Sequence, residues 1–290
     1  MVFIFSLLTI LASQAHAAPE RVVWNKPNWP PYYITEGPRT GQGHLDKLFK
    51  LVQNQAPHLQ FTPIKENSIK DFRGGPNERF CNSSFLRTKE RDKTAYFTAF
   101  YLQPPVQIIV RKETWKKPLY EAKVLPFKRL IDVSLRGVFA KARSYGDYVN
   151  SVLKEQKKNP HVSYISNTGE SLSLLTIVDL GRADYTLEYP EVLRYMEQEK
   201  LIKNDLVTIE IEEQRTPYVV YISCPRNDWG KNIISILDQA VQKAASMKEF
   251  KTLMEEWYPA DVRTRYRKDF DEFYKKRSSS SWTTVPLEKK

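Results

Sequence analysis

Apolar and polar residues fall into short blocks whose period changes along the chain. Arg21-Val-Val-Trp24 is a brief apolar run ending in Asn25-Lys-Pro-Asn-Trp-Pro-Pro31, which predicts a strand and then a loop. Leu45, Leu48, Phe49 and Val52 recur at helical spacing behind Gly41-Gln-Gly43. Strands are predicted over 59–64, 79–85 and 106–110, with a short helical piece at 69–72. The alternation restarts with a strand at Gly137-Val-Phe-Ala140 and a helix opening at Ser144 and running through Tyr148, Val149, Val152 and Leu153. Strands at 162–165, 183–187, 206–211 and 216–223 are interleaved with helices over 171–180 and 192–199. A long amphipathic stretch then carries Ile233, Ile236, Leu237, Ala240, Val241 and Ala244, followed by Phe250, Leu253, Met254 and Trp257. Strands alternating with helices predict α/β layers built on mostly parallel sheets.

The first residues stand apart from this pattern. Residues 2–12 are almost unbroken apolar sequence, and Ala15-His16-Ala17 fits the small-x-small pattern that signal peptidase cuts. Residues 1–17 therefore read as a secretory signal cleaved after Ala17, which leaves a mature chain of 18–290 in a periplasmic, exported protein. The run falls short of the roughly 20 residues of a membrane span.

Composition sharpens the class. With 41% hydrophobic and 27% charged residues, the chain can bury a core, which excludes collagen-like and disordered classes. Its formal charge of +11 is spread along the chain, and the tail over 261–290 contributes nine basic and five acidic residues. That tail is expected to be mobile or loosely docked. The charges form no single basic face of the kind nucleic acid requires, so no nucleic-acid partner is expected; an anionic membrane surface is the simpler counterpart.

Cys81 and Cys224 are the two cysteines, and they allow one disulfide at most. Spacing leaves a bond and two buried free thiols equally open. Neither lies in a CxxC or near a histidine at metal-ligand spacing, so no metal or other cofactor is expected.

The order of motifs then becomes informative. The segment Thr88-Lys-Glu-Arg91-Asp-Lys-Thr-Ala-Tyr-Phe97-Thr-Ala-Phe-Tyr101 resembles the Thr-x-x-Arg and aromatic-Phe-Ser/Thr pattern of family 3 extracellular solute-binding proteins of bacterial ABC importers. Trp29-Pro-Pro-Tyr32 is similar to the aromatic ligand loop of that family, and Gly41-Gln-Gly43-His-Leu-Asp46 to its Gly-x-x-x-Asp segment. Ser144 stands where the family has a Ser/Thr at a helix start, and Gly181-Arg-Ala-Asp184 matches its Gly-x-x-Asp before a strand. The similarity runs to about Ala260. It implies the type II periplasmic-binding fold: two α/β lobes joined by a two-strand hinge, with lobe 1 over 18–110 plus 215–260 and lobe 2 over 111–214. It also implies that the strands of Cys81 and Cys224 are neighbours and that a Cys81 to Cys224 disulfide forms.

The same resemblance nominates a ligand-binding cleft. Arg91 would grip a ligand carboxylate through two parallel hydrogen bonds, with Thr88 holding its loop; the competing reading is a solvated arginine in a charged turn. Trp29 and Tyr32 would supply flat walls, or else pack only their own turn. Ser84 ends a strand where its hydroxyl can face the cleft, and Ser144 would either aim helix amides at a ligand anion or serve as a plain N-cap. Two departures stand out where amino-acid-binding members place acids for the ligand ammonium. Lys26 occupies the region of the first and cannot accept from an ammonium, and Glu188-Tyr189 occupies the second, so Glu188 serves if the register shifts and Tyr189 faces the cleft otherwise.

No Gly-x-Ser-x-Gly, His-Glu-x-x-His or P-loop pattern occurs, and no catalytic residue is nominated. The expected function is capture of a small polar, carboxylate-bearing solute by a monomeric, non-catalytic binding protein that docks on an inner-membrane ABC permease. A ligand-sensing partner of a membrane receptor is the alternative, and a dehydratase-like enzyme with Glu188 as its acid comes third.

Overall fold

A computed structural model describes residues 19–64, 72–73, 75–114, 122–132, 134–141, 143–166 and 170–285. The expected signal at 1–17 lies outside the described residues, as does most of the helical piece expected at 69–72.

The first sheet has strand order β2-β1-β3-β11-β4, built from β1 (Glu20–Asn25), β2 (Leu59–Ile64), β3 (Phe80–Phe85), β4 (Ala95–Gln103) and β11 (Tyr218–Pro225). The second has order β6-β10-β5-β9-β7-β8, from β5 (Gln107–Arg111), β6 (Val124–Leu125), β7 (Gly137–Ala140), β8 (Val162–Ile165), β9 (Tyr185–Glu188) and β10 (Leu206–Ile211). The sequence-predicted strands fall on these, while β4, buried along nearly its whole length with no alternation, and the two-residue β6 were not among them.

Helix α1 (His44–Gln53) buries Leu45, Leu48, Phe49 and Val52, and Phe49 stacks on Trp24 of β1 at 3.8 Å between ring centroids. The other helices are α2 (Phe127–Ile131), α3 (Asp147–Glu155), α4 (Glu170–Asp179), α5 (Pro190–Gln198), α6 (Asp228–Ala245), α7 (Lys248–Glu255), α8 (Ala260–Arg265) and α9 (Arg267–Ser279). The long amphipathic stretch after Trp229 thus divides in two at Ser246-Met247.

The chain passes between the sheets twice, at 104–106 and at 212–217. On either side of these passages the same two stretches stay paired. β4 and β11 are antiparallel neighbours through Tyr218↔Gln103, and β5 and β10 through Leu206↔Arg111. A two-stranded ribbon therefore joins the lobes, and its two strands run in opposite directions, so β11 lies antiparallel to the parallel β1, β2 and β3, and β5 lies antiparallel to both β9 and β10 in the second sheet, where β7 pairs in parallel with β8 and β9. Sheet membership changes between Gln103 and Gln107, a few residues ahead of the division expected after residue 110.

Cys81 on β3 and Cys224 on the neighbouring β11 form a disulfide with a Cα–Cα distance of 4.4 Å. The C-terminal region, expected to be loosely docked, is instead part of the first lobe. Phe270, Phe273, Tyr274 and Arg277 recur at helical spacing on α9 and are buried against α6 and β4. Arg277 is wholly enclosed; it donates to the Ala99 carbonyl at 2.8 Å and to Asp238 Oδ1 at 2.9 Å. Beyond the helix, the Trp282 carbonyl accepts from Ala99 N at 3.0 Å, so the outer edge of β4 is covered.

Candidate functional site: the boundary between the lobes

The loop after β1 folds back as a tight turn: Tyr32 N and Tyr33 N both donate to the Trp29 carbonyl, across a cis Pro30–Pro31 peptide. Gly43 lets helix α1 start directly against this loop, since a Cβ there would lie 2.3 Å from the Tyr32 carbonyl oxygen. Asp46 locks the junction by accepting from Gly43 N at 3.1 Å and Ile34 N at 3.0 Å. The result is a half-buried Trp29 stacked on a fully buried Tyr32 at 4.2 Å.

The second lobe brings the end of β9 and the start of α5 against this pair. The Tyr189 ring lies 6.2 Å from Trp29 and 5.9 Å edge-on to Tyr32. Its hydroxyl is hydrogen-bonded to that of Tyr218, the first residue of β11, so the aromatic contact reaches the ribbon joining the lobes. Burial raises the pKa of Tyr32, Tyr101, Tyr189 and Tyr218, which keeps all four as neutral phenols.

Glu188, fully buried at the end of β9, is engaged by Arg143 through two hydrogen bonds of 2.5 and 2.6 Å, and it also accepts from Tyr189 N at 2.8 Å. Burial opposes the Arg143 charge, but Glu188 beside it outweighs that and holds the guanidinium well above its usual range. The guanidinium also lies 5.0 Å over the Tyr189 ring and 5.2 Å over Tyr145. Beside it opens a concavity of about 340 Å³ whose lining includes Lys141, Asn150, Lys154 and Lys157, giving it a positive wall.

The eight sequence candidates divide into three groups. Trp29, Tyr32 and Tyr189 meet directly, Glu188 stands next to Tyr189 and accepts from its backbone N, and Ser84 joins them through Tyr101, 3.3 Å away, whose environment includes Tyr189 and Glu191. Thr88 accepts from Arg91 N at 3.2 Å, and the Arg91 side chain donates to the Leu86 carbonyl at 2.9 Å while lying 3.9 Å over Phe85, all at the end of β3 and in the segment that follows it. Ser144 is exposed and accepts from Asn150 Nδ2 at 2.7 Å; the residue capping α3 is Gly146, whose φ of 98° is a left-handed conformation suited to glycine. Lys26 is paired with Asp46 at 2.5 Å.

Arg143 and Glu191 were not among the candidates. Arg143 precedes Ser144 by one residue, and a cation next to a helix start is the signal that could have found it. Glu191 lies in the first turn of α5, where an acid reads as an ordinary partner of the helix dipole. In the structure it is completely buried: Oε1 lies 2.5 Å from the Tyr32 hydroxyl and 2.7 Å from Gln103 Nε2.

No family profile and no curated protein matches the chain. Solved structures do. One comes from work on glutathione import through GshT and the cystine ABC importer TcyBC of Streptococcus mutans; it is 15% identical over 82% of this chain and 95% of its own, with a TM-score of 0.61. The arginine-, lysine-, histidine-binding protein ArtJ of Geobacillus stearothermophilus is 14% identical over 85% and 99% of the two chains, with a TM-score of 0.56. The VFT2 domain of Bordetella pertussis BvgS is 16% identical over 82% and 93%, with a TM-score of 0.58. The fold is therefore that of the two-lobe, type II periplasmic binding proteins.

Proposed function

We propose that this chain is an exported, non-catalytic solute-binding protein that holds a small polar, carboxylate-bearing solute between its lobes and delivers it to an ABC-type permease. The observation that carries the reading is the meeting of Trp29 and Tyr32 from one lobe with Tyr189 from the other, whose ring lies beside Arg143 of the Arg143–Glu188 pair. Flat rings on both sides beside a fixed guanidinium suit a flat or aliphatic body carrying an anionic group. The lysines around the neighbouring concavity support the same sign of charge. Two groups argue against an ordinary α-amino acid: Lys26 is a cation already paired with Asp46, and Glu188 is matched by Arg143. Arg91 remains the candidate of the first lobe for the same carboxylate.

The ligand-sensing alternative has the fold likeness to the BvgS VFT2 domain in its favour. Both readings require a ligand. The deciding experiment is thermal unfolding of residues 18–290 against dicarboxylates, amino acids, peptides, sugars and nucleosides. A ligand at one hundred times its dissociation constant adds about 2.7 kcal/mol to stability. A carboxylate-selective shift that Arg143→Ala or Arg91→Ala removes supports the reading, and a shift unchanged in both variants refutes the carboxylate assignment. Capture by a permease rather than by a receptor domain would then separate transport from sensing.

A further inference from the structure

Helix α5 belongs to the second lobe, yet one of its faces lies on the first. Glu191 reaches Tyr32, Arg194 donates to the Tyr258 carbonyl at 2.6 Å, Tyr195 packs edge-on to Trp257 at 5.5 Å, and Glu199 just beyond the helix pairs with Arg39 at 2.6 Å. Positions 191, 194, 195 and 199 share one helical stripe, so this face holds the lobes together. Partly exposed ion pairs such as Arg39–Glu199 contribute little. The enclosed part of the contact is the cluster around Glu191.

That cluster has a donor arithmetic. The Tyr32 hydroxyl is 3.1 Å from Gln103 Oε1 and 2.5 Å from Glu191 Oε1, and Gln103 Nε2 is 2.7 Å from the same Glu191 oxygen. With Glu191 ionised, the single Tyr32 proton cannot fill both contacts: either Gln103 Oε1 loses its donor, or the Tyr32 and Glu191 oxygens face each other at 2.5 Å with no proton between them. With Glu191 protonated on Oε1, the ring closes: Glu191 donates to Tyr32, Tyr32 to Gln103 Oε1, and Gln103 Nε2 to Glu191. Glu191 Oε2, also buried, has no hydrogen-bond partner among the described residues, which further disfavours a full carboxylate there. We propose that closure of the two lobes takes up a proton at Glu191, which makes the closed state a proton-linked state.

The groups around Glu191 leave it as the titrating member. Tyr32 from the loop after β1, Tyr101 from β4, Tyr189 at the start of α5 and Tyr258 after α7 are neutral phenols. Glu188, at the end of β9, is matched by Arg143, and His44 of α1, which faces the Tyr32 ring, is held neutral by burial. Burial, with the nearby Glu188 charge adding to it, pushes the Glu191 carboxyl up to about 7 against the hydrogen bonds that Tyr32 and Gln103 offer its ionised form. In an opened protein Glu191 regains water and its ordinary carboxylate range. Closure is then favoured on the acid side and lost as pH rises through about 7, and the closed-to-open ratio falls on the order of a hundredfold between about pH 5 and pH 8.

Small-angle X-ray scattering of the ligand-free full chain tests this without reference to any solute. Wild type is expected to be more compact at about pH 5.5 than at about pH 8.5, and Glu191→Gln, which cannot ionise, to give one radius of gyration at both. Equal compactness of wild type at the two pH values overturns the proposal, as does an undiminished pH response in Glu191→Gln. If that variant does not fold, Tyr32→Phe serves. Without the phenol oxygen the Glu191 carboxyl loses one of its two side-chain partners, so the midpoint of the response moves, and an unmoved midpoint refutes the ring.

Discussion

Arg143 meets the fully buried Glu188 with both terminal nitrogens, Nη1 to Oε2 at 2.5 Å and Nη2 to Oε1 at 2.6 Å. The Glu188 charge is thus balanced inside its own lobe. A buried pair is weak support for stability while intact, but removing one partner leaves the other charge enclosed. Glu188→Gln is therefore expected to cost about 3 to 5 kcal/mol in urea unfolding. Replacing both residues by apolar ones of similar size should cost clearly less than the two single changes added together, and additive losses would show that the two charges are not coupled.

The Cys81–Cys224 bond closes a sequence separation of 143 residues and ties β3 to the strand that returns from the second lobe. Alkylation without reductant should find no free thiol in the folded protein. Replacing both cysteines by alanine should lower stability by roughly 2 to 5 kcal/mol, the usual range for a native disulfide.

Helix α9 is expected to be required for the first lobe. Phe270 is fully buried and stacks on Tyr258 at 5.4 Å, so Phe270→Ala should destabilise by about 3 to 5 kcal/mol. Removal of everything after Arg265 would also leave Asp238 enclosed without Arg277, and a truncated chain with an unchanged melting temperature would contradict the docking.

His44 supplies a second pH effect of opposite sign. Burial lowers it to about 3 from an ordinary 6.5, with Lys47 adding to the shift. Its contribution to folding is present above about 6.5 and lost as pH falls toward 3, because the unfolded chain takes the proton first. Glu191, raised to about 7 from 4.5, contributes fully below about 4.5 and loses its contribution as pH rises through 7. Between about pH 4.5 and 6.5 the slopes oppose each other at about 1.4 kcal/mol per pH unit each, so wild-type unfolding free energy should be nearly flat there. Glu191→Gln should become less stable on acidification across that window and His44→Leu more stable, as read from denaturant midpoints at several pH values. Parallel pH curves for all three proteins would exclude both assignments.

Much of the fold was legible because burial on one face imposes a period on the residues. Leu45, Leu48, Phe49 and Val52 marked α1, and the alternation of such helices with short apolar runs marked the α/β class. Strand β4 escaped because it is buried on both faces and carries no alternation. The C-terminal helix escaped because its charged residues outnumber the apolar stripe of Phe270, Phe273 and Tyr274. At the candidate site, Trp29, Tyr32 and Tyr189 were named from local motifs and meet in space, with Glu188 beside Tyr189, whereas Arg143 and Glu191 were not named.

The amino-acid sequence by itself determined which segments become strands and helices and which short motifs stand at their ends, since these depend on neighbours within a few residues. The tertiary structure alone decided that Lys26 is matched by Asp46, Glu188 by Arg143, and that Glu191 is enclosed between Tyr32 and Gln103. Those partners lie 20, 45, 159 and 88 positions apart. The charge state of an enclosed acid depends on what surrounds it in space, and no local pattern along the chain carries that information.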